Sequence, residues 1–265
     1  MASQPGELTV RSARVKHARR LATRAFRAKT GEFLAEGPQA VREALAEPEV
    51  VIEVFATAEA TARHGAWRDA HPVLPWHVVS GDVLAEIADA VQPQGIVARC
   101  HDVTVTLDAL PAQARLVVVC AQIRDPGNLG AVIRCADAAG ADAVIVAGDS
   151  VDPLNPKVVR STAGSLFHLP VLLERDLVRA VETLQGAGLQ VFGADGGGRL
   201  LDDAALDLSA PTAWVMGNEA HGLPTQVREL ADEVVGVPMY GRAESLNLAT
   251  AAAVCVYASA GAMHR

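Results

Sequence analysis

The sequence predicts an α/β protein of two domains, a small N-terminal one and a larger one built on a mostly parallel sheet. Three observations carry this expectation. Apolar runs of strand length alternate with helix-periodic segments along nearly the whole chain, as in βα units. The alternation lapses at 104–114, where Pro111 and small residues read as a linker. Charge is uneven as well. Residues 1–30 hold eight Lys/Arg against the single acid Glu7, a local +7, within a chain whose net charge is −8, so the remainder carries −15.

Taken in order, 12–29 places Val15, Ala18, Leu21, Ala22 and Ala25 at helical spacing and predicts one helix, stopped by Thr30-Gly31. A short strand at 33–35 follows. Gly37-Pro38 then opens a helix to 47, with proline in the first turn, where its missing N–H costs nothing. Strands are expected at 50–56, 76–79 and 96–100, with helices at 59–70 and 82–90, the latter capped by Ser80 or Asp82. In the second domain the strands are 116–121, 143–146, 169–173, 190–193, 213–216 and 234–237. Its helices are 129–139, 157–162, 176–185, 225–231 and 246–260, which predicts helices on both faces of the sheet. Gly196-Gly-Gly198 reads as a flexible turn, because no helix bearing Lys or Ser/Thr follows to make a phosphate cradle.

The totals exclude several classes. With 50% hydrophobic and 20% charged residues the chain is folded, not disordered. Charges or prolines interrupt every apolar run before the ~18–20 residues of a membrane span, and the start lacks a signal peptide's apolar core, so a cytoplasmic protein without a membrane partner is expected. Cys100, Cys120, Cys135 and Cys255 form no C-x-x-C and mostly sit in apolar runs, which suits buried thiols in a reducing compartment. His64, His71 and His77 are irregularly spaced and read as surface residues rather than metal ligands.

Three segments carry the chemistry. The run 116–121 leads into Arg124-Asp-Pro-Gly-Asn-Leu-Gly-Ala-Val-Ile-Arg134, a strand, a glycine-containing turn and a helix start. Backbone N–H groups lie bare at such a start, so it can bind ligands. It lacks both G-x-G-x-x-G and G-x-x-x-x-G-K-[ST], which removes a nucleotide-dependent oxidoreductase and a phosphate-loop enzyme. The second segment is Met216-Gly-Asn-Glu-Ala-His-Gly-Leu-Pro224, and the third is Val237-Pro-Met-Tyr-Gly-Arg-Ala-Glu-Ser-Leu-Asn-Leu248.

Together these segments resemble the SpoU/TrmH family of S-adenosylmethionine-dependent RNA ribose 2′-O-methyltransferases, in the SPOUT superfamily. That family's Asn-x-Gly-Ala…Arg, Gly-x-Glu-x-x-Gly and Pro-Met…Ser-Leu-Asn motifs occur here in order, as Asn128 to Arg134, Gly217 to Gly222 and Pro238 to Asn247. Ahead of them, Glu32-Phe-Leu-Ala-Glu-Gly37 before a helix is similar to the L30e-like substrate-binding domain of rRNA members. The resemblance implies a substrate-binding domain at 1–105 and a methyltransferase domain at 115–265 with a C-terminal trefoil knot. It implies S-adenosyl-L-methionine as cofactor, held largely by backbone groups at Gly217, Val237 and Leu246 with Met216 and Asn218 beside them.

In the family the residue matching Arg134 activates the 2′-hydroxyl. A guanidinium stays protonated, so positioning and alkoxide stabilisation is the favoured role, and a nearby phosphate or carboxylate takes the proton. A salt bridge to Asp137 or Glu219 is the structural alternative. Glu219 is expected to fix Arg134, Asn128 to hold the loop or bond the ribose, and Ser245 to cap the last helix, hold an RNA phosphate, or both. Asn247 completes the expected catalytic set. The Ala-rich last helix is expected to pack against its copy in a homodimer. The basic segment 11–29, with Arg11, Arg14, Lys16, Arg19, Arg20, Arg24, Arg27 and Lys29, is expected to contact RNA, rRNA before tRNA. A tRNA enzyme and a catalytically inactive RNA-binding relative are the alternatives.

Overall fold

The computed structural model describes residues 8–47, 49–218 and 221–265. It divides into two compact units, one comprising the chain to Val103 with Leu154–Phe167, the other Thr104–Pro153 with His168–Arg265.

The first unit opens with α1 (Ala13–Arg20) and α2 (Arg24–Thr30), where one continuous helix was expected. Arg27 causes the break. It is buried, and its guanidinium donates to the carbonyls of Leu21 and Ala22 at 2.8 and 3.0 Å, capping the end of α1 with a side chain. Then come β1 (Glu32–Glu36), α3 (Pro38–Ala46), β2 (Val51–Thr57), α4 (Ala58–Arg63), α5 (Gly65–Ala70), β3 (Trp76–Val79), α6 (Gly81–Ile87) and β4 (Ile96–His101). The helix expected at 59–70 is therefore also two, with His64 at the junction, its ring stacked on Trp67. His71 and His77 are likewise bonded rather than free surface groups, His71 to the carbonyls of Trp67 and Leu45 and His77 to Glu53. Ser80 caps α6 by accepting from the Val83 N–H, one of the two caps anticipated.

The sheet order is β1-β4-β2-β3, with β4 antiparallel to both neighbours and β3 parallel to β2. Val15, Ala18 and Leu21 of the first helix pack with Leu34, Phe55 and Val97 in its core. Charge ties α1 to the sheet. Glu53, 1% exposed, accepts from Arg99 Nε at 2.6 Å and also pairs with Arg14 and His77. Glu32 accepts from Arg99 Nη1 at 2.8 Å and lies 2.7 Å from His17 Nε2. Buried Glu36 takes the N–H groups of Asp89 and Ala90 and the guanidinium of Arg160.

The second unit begins with β5 (Val105–Thr106) and one turn of 3₁₀ helix that buries Leu107. The segment expected to be only a linker thus joins the fold, because β5 pairs with a later strand and Leu107 enters the core. There follow β6 (Leu116–Ala121), α7 (Pro126–Ala138), β7 (Ala143–Ala147), α8 (Pro156–Thr162, in the first unit), β8 (Val171–Glu174), α9 (Leu177–Gly186), β9 (Gln190–Leu200), β10 (Thr212–Met216), α10 (Thr225–Leu230), β11 (Glu233–Gly236) and α11 (Leu248–Met263).

The seven strands run in the order β11-β9-β10-β6-β7-β8-β5, every pair parallel. Buried on both faces, β6, β7 and β10 are almost wholly apolar, as a covered parallel sheet requires. Trp214 is fully buried and donates from Nε1 to Ser259 Oγ at 3.0 Å, pinning α11 to β10. Gly196-Gly-Gly198 lies within β9, not in a free turn. A Cβ on Gly198 would fall 2.0 Å from the Val234 carbonyl oxygen, so glycine permits the close approach of β11. The register against β11 jumps there from Gly193 to Arg199.

Candidate active site

The chain leaves β6 for β7 and β8 on one side, then returns to place β9, β10 and β11 on the other. The reversal falls between β6 and β10, and open parallel sheets bind ligands beyond the carboxyl ends of strands at such a point. On the β10 side of that reversal lies a cavity of about 460 Å³, lined from the middle of β9 and from the carboxyl ends of β10 and β11. Ala194, Asp195 and Gly196 form one wall, Met216, Gly217, Asn218 and Gly222 a second, and the stretch from Val235 to Ala251 the rest.

Local hydrogen bonds hold the three motif segments there. Asp125 caps α7 by accepting from the Asn128 N–H at 2.8 Å, with Pro126 in the first turn. The helix therefore starts three residues before the sequence pattern suggested. Asn128 Oδ1 accepts from Asn247 Nδ2 at 3.1 Å, joining the first and third segments. Asn247 Oδ1 accepts from the Ala249 N–H at 2.9 Å and is the cap of α11. Ser245 does not fill that role. It stands two residues earlier on irregular chain, exposed on the cavity wall.

The second segment is tied to the first by Asn218 Nδ2, which donates to the Gln122 carbonyl at 2.8 Å. Gln122 adopts φ 57°, a left-handed conformation uncommon outside glycine, at the exit of β6. Asn218 and Gly222 exchange backbone hydrogen bonds of 2.9 Å. A Cβ on Gly217 would lie 2.4 to 2.6 Å from the backbone of Gly222 and Leu223, so no other residue fits. Glu219, named as a site residue from the sequence, lies outside the described residues.

Arg134 is exposed on α7, whose buried face is Leu129, Gly130, Val132, Ile133 and Ala136. It makes no hydrogen bond or ion pair among the described residues. Asp137, a candidate partner, bonds His168 Nδ1 at 2.8 Å instead. The cavity thus brings together Met216, Gly217, Asn218, Val237, Ser245, Leu246 and Asn247. Asn128 is bonded to that group, and Arg134 stands on the same helix outside the lining.

Sequence reasoning missed Asp195, Gly196, Met239 and Glu244 among the lining residues. The glycine run at 196–198 and the acid before Ser245 were the available signals. Asp195 is paired with Arg228 at 2.9 Å, and Glu244 is exposed. The Glu244 carboxylate among apolar lining residues such as Met216, Val237, Met239 and Leu246 suits a cationic ligand with apolar parts. Burial pushes the Cys255 thiol up to about 12 and raises that of Cys135, so neither thiol offers a thiolate.

An all-parallel α/β sheet with a cavity beside β9, β10 and β11, joined to a mixed-sheet α/β unit, defines a two-domain protein that binds a small molecule beside its motif loops. Comparison gives the family. Residues 115–257 match the SpoU rRNA Methylase family and residues 12–98 the MRM3-like substrate binding domain; the chain belongs to the SpoU rRNA methylase family. It is 36% identical over 253 residues to the 23S rRNA (guanosine(2553)-2′-O)-methyltransferase RlmP of Bacillus subtilis, covering 94% of this chain and 96% of that one. The AdoMet-bound rRNA methyltransferase of Sinorhizobium meliloti superposes with a TM-score of 0.81 at 30% identity, covering 98% and 96% of the two chains. The SpoU methyltransferase AviRb of Streptomyces viridochromogenes, in complex with AdoMet, gives 0.81 at 31% identity, covering 94% and 98%.

Proposed function

We propose that the protein transfers a methyl group from S-adenosylmethionine to a ribose 2′-hydroxyl of rRNA. The observation that carries this reading is the cavity. All five residues expected around the cofactor line it, next to the Asn128–Asn247 bond. Full-length similarity to 23S rRNA 2′-O-methyltransferases and the match to a substrate-binding domain support rRNA over tRNA.

The residues fit the cofactor. Met216, Val237 and Leu246 give apolar walls, the bare Gly217 backbone allows close approach, and Glu244 complements positive charge. Bound there, the cofactor supplies a methyl group on a sulfonium whose leaving group is neutral. Arg134 points its donors at the 2′-oxygen as negative charge develops, and remains protonated throughout. Glu219 fixes Arg134, Asn128 and Asn247 set the loop beside the ribose, and Ser245 holds a phosphate. The proton passes to a neighbouring phosphate or carboxylate.

RNA contact by the segment 11–29 falls to its exposed charges without an ion-pair partner among the described residues, Arg11, Lys16, Arg20, Arg24 and Lys29. Arg27 is buried as a cap, and Arg14 and Arg19 are paired with Glu53 and Glu86. The reading includes a knotted C-terminal segment, a homodimer packed through α11 and residence in the cytoplasm. No helix among the described residues is long and apolar enough to cross a membrane.

Incubation with unmodified rRNA and tRNA pools and labelled methyl donor tests the reaction. A 2′-O-methyl group removes the hydroxyl that attacks the adjacent phosphate in alkali, so label is expected in alkali-resistant dinucleotides from rRNA. Label in mononucleotides would mean base methylation and overturn the ribose assignment.

A further inference from the structure

We propose that Tyr240 is a stacking platform for an unpaired base of the RNA substrate, set beside the cavity of the second unit. The proposal deepens the RNA methyltransferase reading and rests on it. Phe33, Phe55 and Trp214 are fully buried and Phe192 nearly so, while Tyr257 on α11 is about half exposed but lines no part of the cavity. Tyr240 is 87% exposed, on irregular chain directly after Met239, a lining residue. An exposed large aromatic beside a binding cavity is informative in a way that a scattered surface leucine is not.

The ring is not loose. Its hydroxyl donates to Asp202 Oδ2 at 3.1 Å, which tethers the far edge and leaves the ring open to solvent. Tethering a side chain before its ligand arrives reduces the ordering lost on binding. Nothing beyond the neighbouring residues lies within 4 Å of where a Cβ on Gly241 would sit, so the chain beside Tyr240 is open to solvent. Arg242 is exposed, with no hydrogen bond or ion pair among the described residues, and can meet a phosphate while the base lies on the ring. The carboxylate of Asp202 repels phosphate at the other edge, which favours a base there over the backbone. Sequence-specific RNA recognition works by splaying bases onto aromatic faces, and a reaction at the ribose leaves the base free to be held elsewhere.

The test compares wild type, Tyr240→Phe and Tyr240→Leu on unmodified 23S and 16S rRNA transcripts. S-adenosylmethionine affinity and thermal melting are measured alongside. Leucine keeps apolar bulk without a π face, so Tyr240→Leu should lower kcat/KM for RNA by roughly tenfold or more, with cofactor affinity and melting unchanged. Tyr240→Phe retains the ring and should restore most of the loss. Equal activity of all three, or equal loss in both variants, overturns the proposal. If the wild type methylates neither transcript, the RNA reading itself is at fault. Ultraviolet cross-linking to the same transcripts then still decides the platform. An adduct on the tryptic peptide 229–242 at Tyr240 supports it, and adducts confined to other peptides overturn it.

Discussion

Arg99 in the first unit and Arg134 in the second put the same side chain to opposite uses. Arg99 is bonded to Glu53 and Glu32, and Arg14, His17 and His77 complete the cluster that binds α1 to its sheet. Its charge is consumed by the fold. Arg134 has no partner among the described residues and faces solvent on a helix whose other side is core. Around the nearby cavity, bonds such as Asn247 to Asn128 and Asn218 to Gln122 fix loops while leaving the cavity open. Mutually satisfied charges stabilise structure, whereas groups that are positioned but unsatisfied remain available to a ligand.

Breaking the first cluster should give the largest stability effect. Glu53→Ala removes a buried carboxylate from three cationic or histidine partners and should cost about 3–5 kcal/mol, read as a lower denaturant midpoint. Turnover per folded molecule should barely change, since no cavity residue is touched. If activity fell and stability did not, the contrast between the two regions would be wrong.

Gly217→Ala should come next. The added methyl meets the backbone of Gly222 and Leu223, costing about 1–3 kcal/mol as overpacking, and it should weaken cofactor binding in calorimetry at least tenfold. Unaltered affinity would detach the cavity from the cofactor. Asn247→Ala should cost about 1 kcal/mol through the lost cap and free Asn128, with methyl transfer reduced more than cofactor affinity. The smallest effect concerns acid. Burial pushes the Glu32 carboxyl upward, but hydrogen bonds from His17 and Arg99 outweigh it and hold the group below its ordinary 4.5. Its contribution is therefore present above that value and lost as pH falls through the depressed one. Glu32→Gln should flatten the acid limb of the stability curve below about pH 4.5, measured by urea titration, and an unchanged limb would assign acid sensitivity elsewhere.

Much of this contrast was legible in the residues. The strands β6, β7 and β10 were plain because a parallel sheet buried on both faces leaves uninterrupted apolar runs. Residues of the second and third motifs gathered at one cavity because those segments follow the ends of β10 and β11, whereas Asn128 and Arg134 of the first lie on α7 outside its lining. Tertiary partners that no local pattern encodes stayed hidden. Arg27 looked like one more basic residue on a helix until its guanidinium capped α1 and split that helix in two. The glycines at 196–198 looked like a turn because nothing local reveals that Val234 approaches them. Ser245 was the cap expected from the sequence, but Asn247, also bonded to Asn128, fills that role.

The most direct test of the central claim, that the exposed Arg134 on α7 does the chemistry with the cofactor in the cavity, compares Arg134→Ala with wild type in two readings. One is calorimetric binding of S-adenosylmethionine and the other is single-turnover methyl transfer to unmodified rRNA. The account predicts unchanged cofactor affinity and stability with transfer reduced by roughly 10²–10³-fold, the cost of removing one transition-state donor. Transfer at the wild-type rate, or loss of cofactor binding in parallel with transfer, would contradict it.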